Sequence, residues 1–184
     1  IPMLVSLDGE WGLSMRLSGT TRFPKNMMLG AIEDNALIEE YGKGEGRQCR
    51  GMGIHINFAP DMDVNSNVDN PVIGLRSFGE NPEAVAEKGI AYARGLESTG
   101  ILSVSKHFPG HGDTSEDSRE TLPVVRHNRA RLDSVELLPF KRYIYDGFGG
   151  IMTGHLYVPA LDKSHKPASF SKAVVTDLSQ KELG

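Results

Sequence analysis

Most of the chemistry in this sequence is concentrated in one string, Lys106-His107-Phe108-Pro109-Gly110-His111-Gly112. One proline and two glycines predict a tight loop with close backbone approach. Lys106 and His107 at its base carry hydrogen-bond donors. Those donors suit the hydroxyls of a sugar, and they suit equally the carboxylates of a folded core; residue type alone leaves both open. His107, His111, Asp113 and Asp117 also offer nitrogen and oxygen metal ligands within a short stretch. The helical His-Glu-x-x-His pattern is absent, and Pro109 with the glycines argues against a helix, so no metal is expected. A Gly-x-Ser-x-Gly elbow and a Walker phosphate loop are also missing, and no cofactor is expected. Carboxylates are plentiful: Asp8, Glu10, Asp61, Asp63, Asp113, Glu116 and Asp117. A pair of carboxylates flanking a scissile bond is what glycoside hydrolysis requires. Each one alone also reads as a turn cap or a structural ion pair, the commoner case for Asp61 and Asp63.

Four short apolar runs must position these groups: residues 3–7, 54–59, 101–105 and 150–153. Each is bounded by Gly, Pro or polar residues, which suits strands buried on both faces of a parallel sheet. Helix-like segments separate them. Residues 35–52 form one, weakened by Gly42, Gly44 and Gly46. Residues 82–98 form another, with Asn81 as cap, Pro82 in the first position and Gly100 closing it. A third runs through 133–145, with Pro139 starting its regular part. Ser171 caps a fourth that reaches about residue 182. The order βαβαβαβα, with strands about 50 residues apart, predicts a parallel sheet with right-handed crossovers. A doubly wound sheet and a barrel share that order. The runs end in Asp8 and Glu10, Asp61 and Asp63, Lys106 and His107, and His155. Reactive groups at the carboxyl ends of successive strands favour the barrel, so the fold class is α/β, a partial (β/α)8 TIM barrel of about four strand-helix units.

With 184 residues, 39% hydrophobic and 24% charged, the chain can bury a real core. A net charge of −4 gives no reason to expect a nucleic-acid partner. No apolar run approaches the roughly 20 residues of a membrane span. Cys49 is the only cysteine, which excludes an internal disulfide and a cysteine-rich metal site. Composition leaves the compartment open, cytoplasmic or extracytoplasmic. The sequence opens directly into an apolar strand and stops just after a helix-like stretch. The expectation over 1–184 is therefore an incomplete barrel that lacks its first strand and the strands after Gly184.

A resemblance joins these pieces. Asp8-Gly9-Glu10, Phe23-Pro24, Asn57-Phe58-Ala59-Pro60, Asn70-Pro71-Val72-Ile73, Arg76-Ser77-Phe78-Gly79, the string from Lys106 to Asp113, Leu138-Pro139-Phe140 and Met152-Thr153-Gly154-His155 occur in an order spanning essentially the whole chain. In these motifs the chain resembles the N-terminal barrel of family 3 glycoside hydrolases, in the β-N-acetylglucosaminidase (β-hexosaminidase) branch. The resemblance implies a carbohydrate ligand, an N-acetylglucosamine-containing glycan of cell-wall or chitin type, cleaved by a retaining mechanism. It implies that Asp8 accepts hydrogen bonds from sugar hydroxyls, with Arg16 beside it, and that Arg76, Lys106 and His107 complete the pocket. The branch uses an Asp-Ser-His string on the loop after the Lys-His strand as its acid/base. Here that string reads Asp117-Ser118-Arg119. An arginine has a pKa above about 12 and stays protonated, so it cannot serve. The implied catalytic positions are thus Asp117 and Arg119, and the nucleophilic aspartate would follow Gly184. Trp11 also departs from the glycine usual after Asp-x-Glu. Two alternatives follow: a non-catalytic sugar-binding relative, or a β-glucosidase/xylosidase-type member with another acid/base, Glu116 or Glu120 among the candidates.

Overall fold

A computed structural model describes residues 3–117 and 120–184 of the chain. Four parallel strands form one sheet, β1 (Ser6–Leu7), β2 (Ile56–Asn57), β3 (Leu102–Phe108) and β4 (Gly150–Thr153), in the spatial order β1-β2-β3-β4. Sequential order is that of a barrel wall. A doubly wound sheet would reverse its order at a switch point. The fold is therefore α/β, an arc of a partial (β/α)8 barrel.

Two of the predicted strands are shorter than their apolar runs and one is longer. The β1 ladder covers only Ser6–Leu7, although the Val5 carbonyl accepts from the His55 and Ile56 amides. Met3 and Leu4 stay exposed. Regular β2 pairing ends at Asn57, but single bonds continue, with Val104 N–H donating to Ala59 and Lys106 N–H to Pro60. Strand β3 runs on through Lys106 and His107 to Phe108, so these two lie within the end of a strand and not at the base of a separate loop. Burial on both faces holds on the helix side only. Ser103 and Ser105 are fully buried there, with the Ser103 hydroxyl 2.6 Å from that of Tyr143. On the concave side Leu102 is 42% exposed. Period-two alternation carries Leu102, Val104 and Lys106 to that same concave side.

The helices are α1 (Asn26–Gly30), α2 (Asn35–Gly51), α3 (Pro82–Glu97), α4 (Arg129–Ser134) and α5 (Leu138–Tyr145), followed by a wide, π-type helix, Ala173–Glu182. Asn81 caps α3 by accepting from Ala84 N–H at 3.0 Å, and Gly100 follows in the left-handed region. The glycines that weakened α2 as a sequence have a packing role. A Cβ on Gly42 would lie 2.3 Å from the Tyr92 carbonyl, and one on Gly95 2.0 Å from that of Glu39. Helices α2 and α3 therefore cross backbone to backbone. The predicted helix 133–145 is two helices, with Asp133 inside α4. Pro139 has no N–H and its ring would strike the carbonyl four residues back, so the chain breaks before α5. Ser171 caps the final helix through Val174 N–H at 3.3 Å. Helix α1 went unpredicted.

Under β1 and β2 lies a buried polar strut. The Asn57 amide oxygen accepts from Gly9 N–H at 2.9 Å, and its NH2 donates to the Gly9 carbonyl at 3.1 Å and to Glu45 Oε1 at 2.6 Å. Burial pushes the Glu45 carboxyl up to about 8, against the opposing hydrogen bonds of Tyr92, Tyr41 and Asn57. The folded protein thus holds a proton that the unfolded chain releases near the ordinary 4.5. That stabilisation is complete below the lower value and is lost as pH rises from there toward the upper one. Urea denaturation should show stability falling by on the order of a few kcal/mol between about pH 5 and about pH 9, with Glu45→Gln flattening the fall. Parallel declines in the two proteins would refute a neutral Glu45.

Candidate active site

Strand alternation and one turn bring the site together. Asp8 and Glu10 follow β1 two residues apart, so both project to the concave side. Lys106, near the end of β3, reaches between them: its Nζ lies 2.9 Å from Asp8 Oδ1 and 2.7 Å from Glu10 Oε1. Arg76 arrives from the segment between β2 and α3. Asn70 shapes that segment, its side-chain oxygen accepting from Val72 and Ile73 N–H. Arg76 then grips Glu10 with two parallel bonds of 2.7 and 2.9 Å, the fork geometry for which guanidinium is suited. Helix α1 secures it from behind, Asn26 donating to the Arg76 carbonyl at 2.7 Å. Arg16 closes the group on the outside, 3.1 Å from Asp8 Oδ2.

A second carboxylate orders His107. Asp63 Oδ2 lies 2.7 Å from His107 Nδ1, and Asp63 Oδ1 accepts from His111 N–H at 2.6 Å. The Arg76 Nη2 lies 3.3 Å from His107 Nε2. A guanidinium can only donate, so Nε2 accepts and Nδ1 carries the proton toward Asp63. Burial would raise the Asp63 carboxyl, but His107 and His111 outweigh it and bring it down to about 2. Burial likewise opposes ionisation of Asp8 and Glu10, and their cationic partners prevail, holding both below the usual carboxylate range. Asp61 goes the other way, raised by burial and by the Asp63 and Glu10 charges. Its Oδ2 has no hydrogen-bond partner among the described residues, and Arg76 stands 3.6 Å away.

Asp8, Glu10, Arg76, Lys106 and His107 face a cavity of about 550 Å³, within the roughly 300–1,000 Å³ of small-molecule sites. Asp8, Arg16, Arg76, Lys106 and His107, all expected from the sequence, line it together, as does Asp117. Arg119 lies outside the described residues. Glu116 lines a different cavity with Asp113 and His127, and Glu120 is exposed. His155, at the end of β4, is exposed and pairs with Ser169 at 2.8 Å, while Met152 supplies β4's contribution to the cavity. The suspected ligand set His107, His111, Asp113 and Asp117 is not assembled. His111 Nδ1 is engaged by Thr114, and Asp113 by Ser66 and His127. Among the described residues the one clustered set is Asp61, Asp63 and His107, and Asp63 and His107 already bond each other. Lys106 and His107 thus bind core carboxylates, the second opening reading, and they also line the cavity.

Glu10 is the site residue that the sequence reading undervalued. It is 1% exposed and joins the buried Lys106 to the half-buried Arg76. The signal was present, since alternation from Asp8 puts Glu10 on the same face. Glu10→Ala should cost about 3–5 kcal/mol in urea denaturation by stranding Arg76 and Lys106, with Glu10→Gln milder. A loss under about 1 kcal/mol would show that the lattice does not depend on this carboxylate.

Known proteins resemble this chain in sequence and in fold. A profile of the glycosyl hydrolase family 3 N terminal domain matches residues 1–184. Beta-hexosaminidase A of Pseudoalteromonas piscicida is 40% identical over 200 residues, covering 100% of this chain and 33% of that protein. Beta-hexosaminidase LpqI of Mycobacterium tuberculosis is 40% identical over 95% of this chain and 45% of its own length. Among solved structures, a family 3 beta-N-acetylglucosaminidase from Paenibacillus sp. str. FPU-7 superposes with a TM-score of 0.97 at 45% identity, over 100% of this chain and 35% of that one. The chain thus spans about a third to a half of the length of the curated relatives it matches. The chain belongs to glycosyl hydrolase family 3 and corresponds to its N-terminal domain.

Proposed function

We propose that this chain is the sugar-binding part of a β-N-acetylglucosaminidase barrel, and that the whole protein releases β-linked N-acetylglucosamine from cell-wall or chitin-type glycans. In this reading further strands complete the barrel and one of them carries the nucleophilic aspartate of a retaining, two-step mechanism. The observation that carries it is the cavity-lining lattice of Asp8, Arg16, Arg76, Lys106 and His107 at the carboxyl ends of the strands. One carboxylate among three cations and a histidine can grip a ring of hydroxyls by charge-assisted bonds. Such bonds would hold the sugar in one orientation for attack. Asp8 accepts from hydroxyls, Lys106 and Arg76 donate, and the imidazole of His107 is held by Asp63. Asp117 would act at the cavity edge as the carboxylate partner of the acid/base position, residue 119.

The test is turnover. The full-length protein should cleave an aryl β-N-acetylglucosaminide with kcat/KM at least roughly tenfold above that for the aryl glucoside or xyloside. Asp8→Asn should raise KM for that substrate by about tenfold or more, since it weakens a charged hydrogen bond. Preference for the glucoside or xyloside would overturn the substrate assignment.

The presence of Arg119 favours a second reading, a relative that binds the sugar without cleaving it. Arginine cannot exchange a proton near neutral pH. On that reading Arg119→His should confer cleavage of a substrate with a poor leaving group. Rapid cleavage of such a substrate by the unaltered protein would dismiss it.

A further inference from the structure

Trp11 is the only tryptophan in the chain and it lines the same cavity as Asp8 and Lys106. A tight turn puts it there: Gly12 N–H donates to the Gly9 carbonyl at 3.2 Å, and Gly12 sits at φ 88°, a conformation that glycine adopts cheaply. The turn is anchored on its inner side. Asn57 holds both polar groups of the Gly9 backbone, and the Tyr41 hydroxyl reaches the Glu10 carbonyl at 3.4 Å. Phe23 packs under Gly12 and meets Tyr41 edge to face with ring centroids 4.9 Å apart. The backbone carrying Trp11 is thus fixed while the indole itself stays half-exposed. Lys25 Nζ lies 5.2 Å from the indole centroid, and Lys25 is not among the residues lining the cavity. The ammonium therefore lies over one face of the ring.

A large, half-exposed aromatic on an anchored turn, beside a lattice of hydrogen-bonding charges, has a clear chemical complement. A pyranose carries its hydroxyls around its edge and C–H groups on its faces. The charges suit the edge. An indole face, with its negative quadrupole and large apolar area, suits a C–H face. We propose that Trp11 is a stacking platform for the pyranose ring held by Asp8, Lys106 and Arg76, and so a specificity residue of the site. This rests on the sugar-binding reading above.

Isothermal titration of N-acetylglucosamine into the full-length protein and its Trp11→Phe and Trp11→Leu variants tests it, with a thermal melt of each as a fold check. Stacking predicts that Leu weakens binding roughly tenfold while Phe retains most of the affinity, at matching melting temperatures. A purely space-filling residue would make Phe and Leu equivalent, and equal affinities in all three proteins would likewise overturn the platform while leaving the pocket a sugar site. Absence of any sugar binding by the unaltered protein would overturn the sugar-binding reading itself and the platform with it.

Discussion

The site depends on keeping charge buried. Glu10 is almost completely shielded from water, and both its oxygens are committed to Arg76 and Lys106. Lys106 is 2% exposed and would be untenable there without the two carboxylates it joins. Three separate parts of the chain meet in these bonds: the turn after β1, the segment before α3 and the end of β3. A buried ion pair is no general source of stability, since desolvation offsets much of its Coulombic gain. What it supplies here is geometry, because each charge is tolerable in only one arrangement.

The layers beneath serve the same end. Asn57 treats the Gly9 peptide as a strand neighbour would, pairing with its N–H and its carbonyl. This extends β1 by one side chain after main-chain pairing has ended, and it fixes where Asp8 and Glu10 emerge. Glu45 sits behind Asn57 on α2, and α2 can approach because Gly42 and Gly46 leave room against α3. Helix glycines that lower intrinsic helicity thus bring a buried carboxyl within reach of the site's backbone. Asp63 does for His107 what Asn57 does for Gly9, setting the ring's orientation and tautomer.

Much of this was legible in the residues. Strand positions, the caps of α3 and of the final helix, and the gathering of ionisable groups at strand ends follow from short-range periodicity and capping chemistry. The motif order was enough to name the family, and five residues expected to grip a sugar do line one cavity. Other features were not legible. Pro139 was expected to start the regular part of one helix, but the separate α4 before it, Arg129–Ser134, was not. Helix α1 is short and has little periodicity; a tertiary bond from Asn26 gives it purpose. His155 occupies a strand end in sequence yet faces solvent beside Ser169.

The sequence by itself determined which groups are available and on which face of each strand they fall, because alternation and capping act within a few residues. Only the tertiary structure decided which charges meet. Glu10 and Arg76 are 66 residues apart, and Asp8 and Lys106 are 98 apart. Pairing at such separations is set by how the strands register and how closely α2 and α3 pack. It was therefore the fold that made Glu10 the centre of the lattice and Asp63 the anchor of His107.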